Sequence, residues 1–165
     1  MDPPVMKTVY VVLDKVSLFF ARVSRAAVVI LCVALVGSIL ASVFFRYVVG
    51  QALSWPEEIA LILFAWLVLL AGSLGVREGF HVRLTLITEH FPAVVRVVLD
   101  RIITAAVGVF GIILTATGYD FVQRTAEHLT PTLRLPLDWL NYAALACGSL
   151  IFLHALANLF KPEEQ

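Results

Sequence analysis

The chain has 165 residues, of which 61% are hydrophobic and 15% are charged, and its mean hydropathy is +0.94. Soluble domains are about 45–50% apolar and about 25% charged, so this composition excludes an ordinary soluble fold. The formal net charge is +0 and the two cysteines form no CxxC motif, so we expect no nucleic-acid partner, no metal and no cofactor.

Four apolar stretches are long enough to cross a bilayer, which takes about 17–25 residues. In chain order they are Ala26–Phe45, Ile59–Val76, Ile102–Tyr119 and Trp139–Phe160. The connections between them are shorter than the roughly 50 residues of a minimal soluble domain. We therefore predict an all-α integral membrane protein, with a single membrane domain over residues 1–165 and four transmembrane helices.

The segment before the first span has apolar residues at helical spacing and cations on another face. The apolar residues are Val9, Val12, Leu13, Val16, Phe19, Phe20 and Val23. The cations are Lys7, Lys15, Arg22 and Arg25. This pattern predicts an amphipathic helix, which either lies in the plane of the lipid headgroups or lengthens the first transmembrane helix.

The second span begins with Ser54-Trp55-Pro56-Glu57-Glu58, where two carboxylates stand at the edge of an apolar run. Ser54 and Glu57 have the spacing of a capping box, in which each side chain accepts a backbone N–H at the start of a helix. Pro56 is compatible with the first turn because the donors there have no intrahelical partner. We predict that Ser54 and Glu57 cap this helix.

Glu58 points about 100° away from Glu57 and cannot share that cap. Arg46 closes the first span on the same side of the membrane, so we predict either a Glu58–Arg46 ion pair or a contact of Glu58 with a partner subunit. A catalytic carboxylate pair would need a companion base or metal ligand, and none stands nearby in the sequence. His154 is the only histidine within a span, which is too few for a haem held by two histidines and predicts a helix-packing role.

The two later connections carry different patterns. Between the second and third spans, apolar residues at helical spacing predict a short interfacial helix over Phe80–Phe91, the alternative being an irregular linker. Between the third and fourth spans, Pro131 and Pro136 predict an extended segment over Thr130–Asp138.

Small residues form two stripes that predict close contacts between helices, because they let two backbones approach. One stripe, on the third span, consists of Gly108, Gly111, Thr115 and Gly118, and the other, on the second, of Ala71 and Gly75.

Lys and Arg are distributed unequally between the two sides of the membrane. Nine of them lie with the two termini and the connection between the second and third spans, and three lie on the other side. By the positive-inside rule, the N- and C-termini are predicted to be cytoplasmic.

Several short motifs resemble the small membrane subunit, the Q or DctQ-type component, of a tripartite ATP-independent periplasmic (TRAP) transporter. The resemblance covers about residues 26–160. The motifs are Arg46-Tyr47, Ser54-Trp55-Pro56-Glu57-Glu58, Trp66 and Gly72, Arg77 with His81-Val82, and Leu135-Pro136 followed by Trp139 and Tyr142.

The resemblance implies a non-catalytic subunit of a bacterial inner-membrane transporter. In that family a large multi-span transport subunit carries the substrate and sodium sites, and a periplasmic substrate-binding protein delivers a carboxylate or other organic acid. The small subunit braces the large one, widens its footprint in the membrane lipid, and has no transport site of its own. The residues expected at the subunit interface or in structural roles are Arg46, Ser54, Trp55, Glu57, Glu58, Trp66, Arg77 and His81.

Two other classes stay open on the residues alone. A four-helix membrane enzyme of the glutathione-transferase type could use Arg77, Arg96 and Arg101 at the cytoplasmic helix ends to hold an anionic thiol. A small proton-coupled exporter would carry an essential glutamate, although such an acid lies within a span whereas Glu57 and Glu58 mark the edge of one.

Overall fold

The computed structural model describes residues 4–79 and 93–161. Their regular secondary structure is helical, with no strand in these two ranges. The helices are α1 (Pro4–Phe44), α2 (Trp55–Arg77), α3 (Ala93–Thr125) and α4 (Asp138–Leu159). Each contains a stretch long and apolar enough to cross a membrane, which confirms the predicted all-α fold with four spanning helices. The helix predicted over Phe80–Phe91, and with it His81, lies outside the described residues.

The N-terminal segment and the first predicted span form one continuous helix, α1, of 41 residues. At 1.5 Å per residue, α1 is about 60 Å long, roughly twice the thickness of a hydrocarbon core. The structure therefore has the lengthened first helix rather than a separate helix in the headgroup plane. α1 leads into a π-helical turn over Phe45–Val49, after which Gly50 adopts a left-handed backbone with φ of 73°, a conformation that glycine accepts without strain.

The four helices are arranged as a row in the order α1, α2, α4, α3, and α1 also reaches α4. A cluster of buried apolar residues lies between α2 and α4 and contains Val76, Cys147, Ile151 and Ala155, and side chains of α3 also pack against it. Two polar contacts cross the same interface: Cys147 Sγ lies 3.0 Å from the carbonyl of Leu69, and Asn158 Nδ2 donates to the carbonyl of Val76 at 2.9 Å. These contacts fix the register of α4 against α2.

α3 and α4 approach each other most closely, with glycines on both sides of the contact. A Cβ added at Gly111 would lie 2.8 Å from the Phe152 backbone nitrogen, and one added at Gly118 would lie 2.8 Å from that of Leu145. Such distances leave no room for a side chain, so the small-residue stripe predicted on the third span does pack against a helix.

The second predicted stripe behaves differently. Ala71 is exposed, and among the described residues nothing lies within 4 Å of a Cβ added at Gly75. The described part of this chain places no helix closely against these two residues, so the helix contact predicted for this stripe, which named no partner, stays a prediction. The stripe remains on an open face of α2.

Candidate functional site

Arg46 and Glu57 form an ion pair at the junction of α1 and α2. The guanidinium Nη2 of Arg46 lies 2.9 Å from Glu57 Oε1, and both side chains are at least half exposed. The predicted Glu58–Arg46 pair is therefore wrong. The first turn of α2 faces α1 through Pro56, whose carbonyl accepts a hydrogen bond from Ser38 Oγ at 2.9 Å, and this orientation turns Glu57 toward Arg46.

The predicted capping box is also wrong. Ser54 makes no side-chain capping hydrogen bond in the described structure, and its φ and ψ of −88° and −25° are helical. An N-cap residue requires an extended backbone to aim its hydroxyl at the free N–H groups of the first turn. The Glu57 carboxylate pairs with Arg46 and does not complete a capping box with Ser54.

Glu58 holds the loop between α3 and α4. Its two carboxylate oxygens accept the backbone N–H groups of Thr132 at 2.6 Å and Leu133 at 2.9 Å. Hydrogen bonds to a charged acceptor are stronger than neutral ones, so this contact ties the loop to the first turn of α2. It satisfies Glu58 within the chain.

The prediction that Thr130–Asp138 form an extended segment in this loop is wrong. The chain reverses here, since Leu129 and Pro136 form an isolated antiparallel bridge and Thr130 N–H donates to the Leu135 carbonyl at 2.8 Å. The two prolines limit the local backbone, but the Thr130 hydroxyl, which accepts the Leu135 N–H at 3.0 Å, helps close the turn.

The two tryptophans predicted for the site lie in different environments. Trp66 Nε1–H donates to the Trp139 carbonyl at 2.7 Å and so joins α2 to the first turn of α4. Trp55, at the start of α2, has an exposed side chain. Trp66 thus has a structural contact within this chain, whereas the side chain of Trp55 faces outward.

At the opposite end of the bundle, Arg77 joins three helices through a polar cluster, which we define as Asp14, Ser17, Arg77 and His154. Arg77 Nη2 donates to Asp14 Oδ1 at 2.9 Å, and its Nη1 donates to Ser17 Oγ. Ser17 Oγ lies 2.7 Å from His154 Nδ1, and both Ser17 and His154 are fully buried. The cluster connects α1, α2 and α4.

Hydrogen-bond chemistry fixes the direction of the Arg77 contact. A guanidinium can only donate, so Ser17 Oγ accepts from Arg77, and the same hydroxyl shares a hydrogen bond with His154 Nδ1 whose direction depends on the imidazole tautomer. The other ring nitrogen of His154, Nε2, is a buried atom for which the described structure has no hydrogen-bond partner. The helix-packing role predicted for His154 agrees with this position, and Asp14 supplies the counter-charge of Arg77.

Asp14 and Ser17 are not among the predicted site residues, although the sequence of α1 carries a signal for them. Asp14, Ser17 and Ser24 interrupt the apolar pattern of α1 on one helical face, and both serines are buried. A polar stripe inside an otherwise apolar helix indicates contact with other polar groups. The partners Arg77 and His154 could not be paired with this stripe without knowing how the helices pack.

The fold and these contacts define a small multi-pass helical membrane protein whose charged side chains tie helix ends to one another and to a loop. In residues 4–79 and 93–161, no group of three or more His, Cys, Asp or Glu side chains is placed to hold a metal ion. Residues 35–164 match the family of tripartite ATP-independent periplasmic transporters, DctQ component. The chain belongs to this family, which confirms the resemblance drawn from the motifs.

Curated relatives carry the same description. The sialic acid TRAP transporter small permease protein SiaQ of Vibrio cholerae serotype O1 is 27% identical over 117 residues, which are 70% of this chain and 66% of SiaQ. The C4-dicarboxylate TRAP transporter small permease protein DctQ of Rhodobacter capsulatus is 32% identical over 102 residues, which are 61% of this chain and 44% of that protein. This chain thus spans less than two thirds of the length of either relative.

The DctQ of Vibrio cholerae is 27% identical over 111 residues, which are 48% of that protein. The family and these relatives are transporter subunits and not enzymes, so the glutathione-transferase alternative is set aside. The matched range begins at residue 35 and therefore leaves out Asp14 and Ser17 of the polar cluster.

Proposed function

We propose that this chain is the small permease subunit of a binding-protein-dependent transporter in the bacterial inner membrane, where it braces a large multi-span transport subunit. The observation that carries the proposal is the position of its charges. The charged residues of α2 and α4 lie only in the first or last turns of these helices, and residues 26–45 and 102–119 include only uncharged side chains, with Arg46 directly after the first range. A path for an anion or a cation through this chain would therefore have no charged ligand, which favours transport in another subunit.

The substrate class that we propose is a carboxylate or other organic acid, delivered by a periplasmic substrate-binding protein. Support comes from the relatives, whose names specify sialic acid and C4-dicarboxylates, both of which carry carboxylate groups. We also propose sodium-coupled symport by the large subunit, a property that the family resemblance implies. The small proton-coupled exporter is disfavoured because both glutamates of α2 have partners at its outer edge.

The open face of α2 is our candidate for contact with the large subunit. Leu61, Phe64, Val68, Ala71 and Gly72 lie on one side of the helix, and all are exposed. The small residues in this face would let a partner helix approach closely. The excess of Lys and Arg around the termini supports an orientation with both termini in the cytoplasm.

The test is capture of the large subunit from membranes that contain both proteins, with an affinity tag on this chain. Gly72→Leu adds bulk to the open face at a position where no described atom lies within 4 Å of an added Cβ. Gly37→Leu on α1 is a matched control, because Gly37 is equally free of neighbours. We expect wild type and Gly37→Leu to retain the multi-span protein and Gly72→Leu to lose most of it.

Two results would contradict the proposal at different levels. Failure of the wild-type chain to retain any multi-span protein would refute the bracing role. Retention by Gly72→Leu equal to that of Gly37→Leu would refute the α2 face as the contact while leaving the bracing role intact.

A further inference from the structure

The N-terminal half of α1 exposes two cations that form no ion pair among the described residues. Lys15 and Arg22 are exposed and lie two helical turns apart, about 10 Å along the axis, so they share one face. Ser17 and Ser24, which are buried against the bundle, lie on the opposite face. Arg25, by contrast, is paired with Glu78 at 2.9 Å.

Apolar side chains fill the surface between these two cations. Leu18 and Phe19 stand between Lys15 and Arg22 on the same face, and Phe19 is 62% exposed. A surface that combines an exposed aromatic ring with flanking cations is typical of helices at a lipid–water boundary, where the rings enter the acyl region and the cations reach the headgroups.

The contacts of α1 place this surface at the end of the apolar bundle. The polar cluster holds Ser17 beside Arg77, the last residue of α2, and Arg25 reaches Glu78 immediately after it. On the other side of the bundle, Arg101 of α3 donates to the carbonyl of Leu159, the last residue of α4, at 3.3 Å. The ends of α2 and α4 and the arginines that contact them therefore lie at the same end of the apolar bundle. Lys15 and Arg22 lie on α1 at this same end, one on each side of Ser17 along the helix.

We propose that Lys15 and Arg22 bind the headgroup phosphate of anionic phospholipid, with Leu18 and Phe19 against its acyl chains. The two cations have no counter-charge in the described structure, and phosphate is the anion that occurs at the edge of a hydrocarbon core. Arginine binds phosphate through two parallel hydrogen bonds, and lysine adds a mobile point charge. The proposal goes beyond the bracing function, because it concerns lipid and uses residues that precede the range matched to the family.

The experiment measures lipid binding to the purified full-length chain in detergent. Native mass spectrometry and the thermal unfolding midpoint are recorded with phosphatidylglycerol, with phosphatidylcholine and with inorganic phosphate. The Lys15→Gln/Arg22→Gln variant removes the site. The Arg25→Gln/Glu78→Gln variant is the matched control, since it removes an exposed cation at the same level together with its existing partner.

We expect phosphatidylglycerol, and neither of the other two ligands, to bind the wild-type chain and raise its unfolding midpoint. Its affinity should fall about tenfold or more in Lys15→Gln/Arg22→Gln, because each basic residue contributes to attraction by anionic lipid. The Arg25→Gln/Glu78→Gln control should bind it within about twofold of wild type, because the pair that it removes carries no net charge.

Three outcomes would overturn the proposal. Wild-type binding by Lys15→Gln/Arg22→Gln would exclude the site, and an equal loss in the Arg25→Gln/Glu78→Gln control would reduce it to general surface charge. A stabilisation by inorganic phosphate equal to that by phosphatidylglycerol would exclude lipid as the ligand. Capture of the large subunit is measured separately, so a Lys15→Gln/Arg22→Gln protein that binds lipid normally but loses that capture would assign this face to protein contact instead.

Discussion

Replacing Gly148 with alanine tests whether direct backbone contact joins α3 to α4. A Cβ at this position would lie 2.5 Å from the Thr115 backbone nitrogen and 2.8 Å from the Gly111 carbonyl oxygen, whereas ordinary contacts begin at 3.4 Å. Both atoms belong to the backbone of α3, so the helices must move apart because no flexible side chain can yield. Overpacking of this kind costs about 1–3 kcal/mol, and the higher helix propensity of alanine offsets up to about 1 kcal/mol of it.

We therefore expect Gly148→Ala to lower the free energy of unfolding by about 0–2 kcal/mol relative to wild type, and by about 1–3 kcal/mol relative to a glycine-to-alanine variant that gains the same propensity without the clash. The assay is reversible unfolding of the purified chain in detergent or bicelles. Gly75→Ala is the control, because an added Cβ there meets no described atom within 4 Å and the same propensity gain should leave stability equal or higher. If Gly148→Ala proves as stable as Gly75→Ala, the reasoning from backbone contact is refuted.

Two further substitutions separate the polar contacts by their surroundings. Glu58→Ala should make the α3–α4 loop more sensitive to added protease, and weaken complex assembly more, than Glu57→Ala does. The reason is that Glu58 accepts two loop N–H groups, whereas Glu57 forms one exposed ion pair worth about 0–1 kcal/mol. Equal protease resistance of the two variants would contradict this prediction. Ser17→Ala should cost about 1–2 kcal/mol of unfolding free energy, since it leaves buried His154 Nδ1 without a partner and removes one of the two hydrogen bonds of Arg77, which keeps Asp14. Ser149→Ala is its control, because Ser149 bonds only to Leu145 of its own helix, and a loss as large as that of Ser17→Ala would argue against the polar cluster.

The predicted fold could be obtained from sequence because membrane insertion depends on local hydropathy. A run such as Ile59–Val76 contains no charged residue, and its backbone groups must be hydrogen-bonded within the protein because the bilayer core holds no water. A helix meets this requirement within a single span. The small-residue stripe through Gly111 and Gly118 was visible for a related reason, since missing side chains mark where another backbone can approach.

The partners of the charged residues could be predicted less well. The sequence placed Arg46, Glu57 and Glu58 at one edge of the membrane, but it assigned Arg46 to the wrong glutamate. Adjacent residues on a helix differ by about 100° in direction, so the choice depends on how α2 is rotated against its neighbours. The loop N–H groups that bind Glu58 come from a turn more than 70 residues away in the chain, and no local sequence pattern predicts this contact.

The membrane class, the four spanning helices and, through short motifs, the family could be read from the order of the residues alone. The membrane class and the helices follow from the hydropathy of neighbouring residues, and the family follows from short local motifs. The packing of the helices was needed to show that Glu57 pairs with Arg46, that Glu58 binds a loop, and that Arg77 connects Asp14 and Ser17 to His154. Each of these contacts depends on the rotation and relative height of two or more helices, which packing sets and which the order of residues along one helix does not contain.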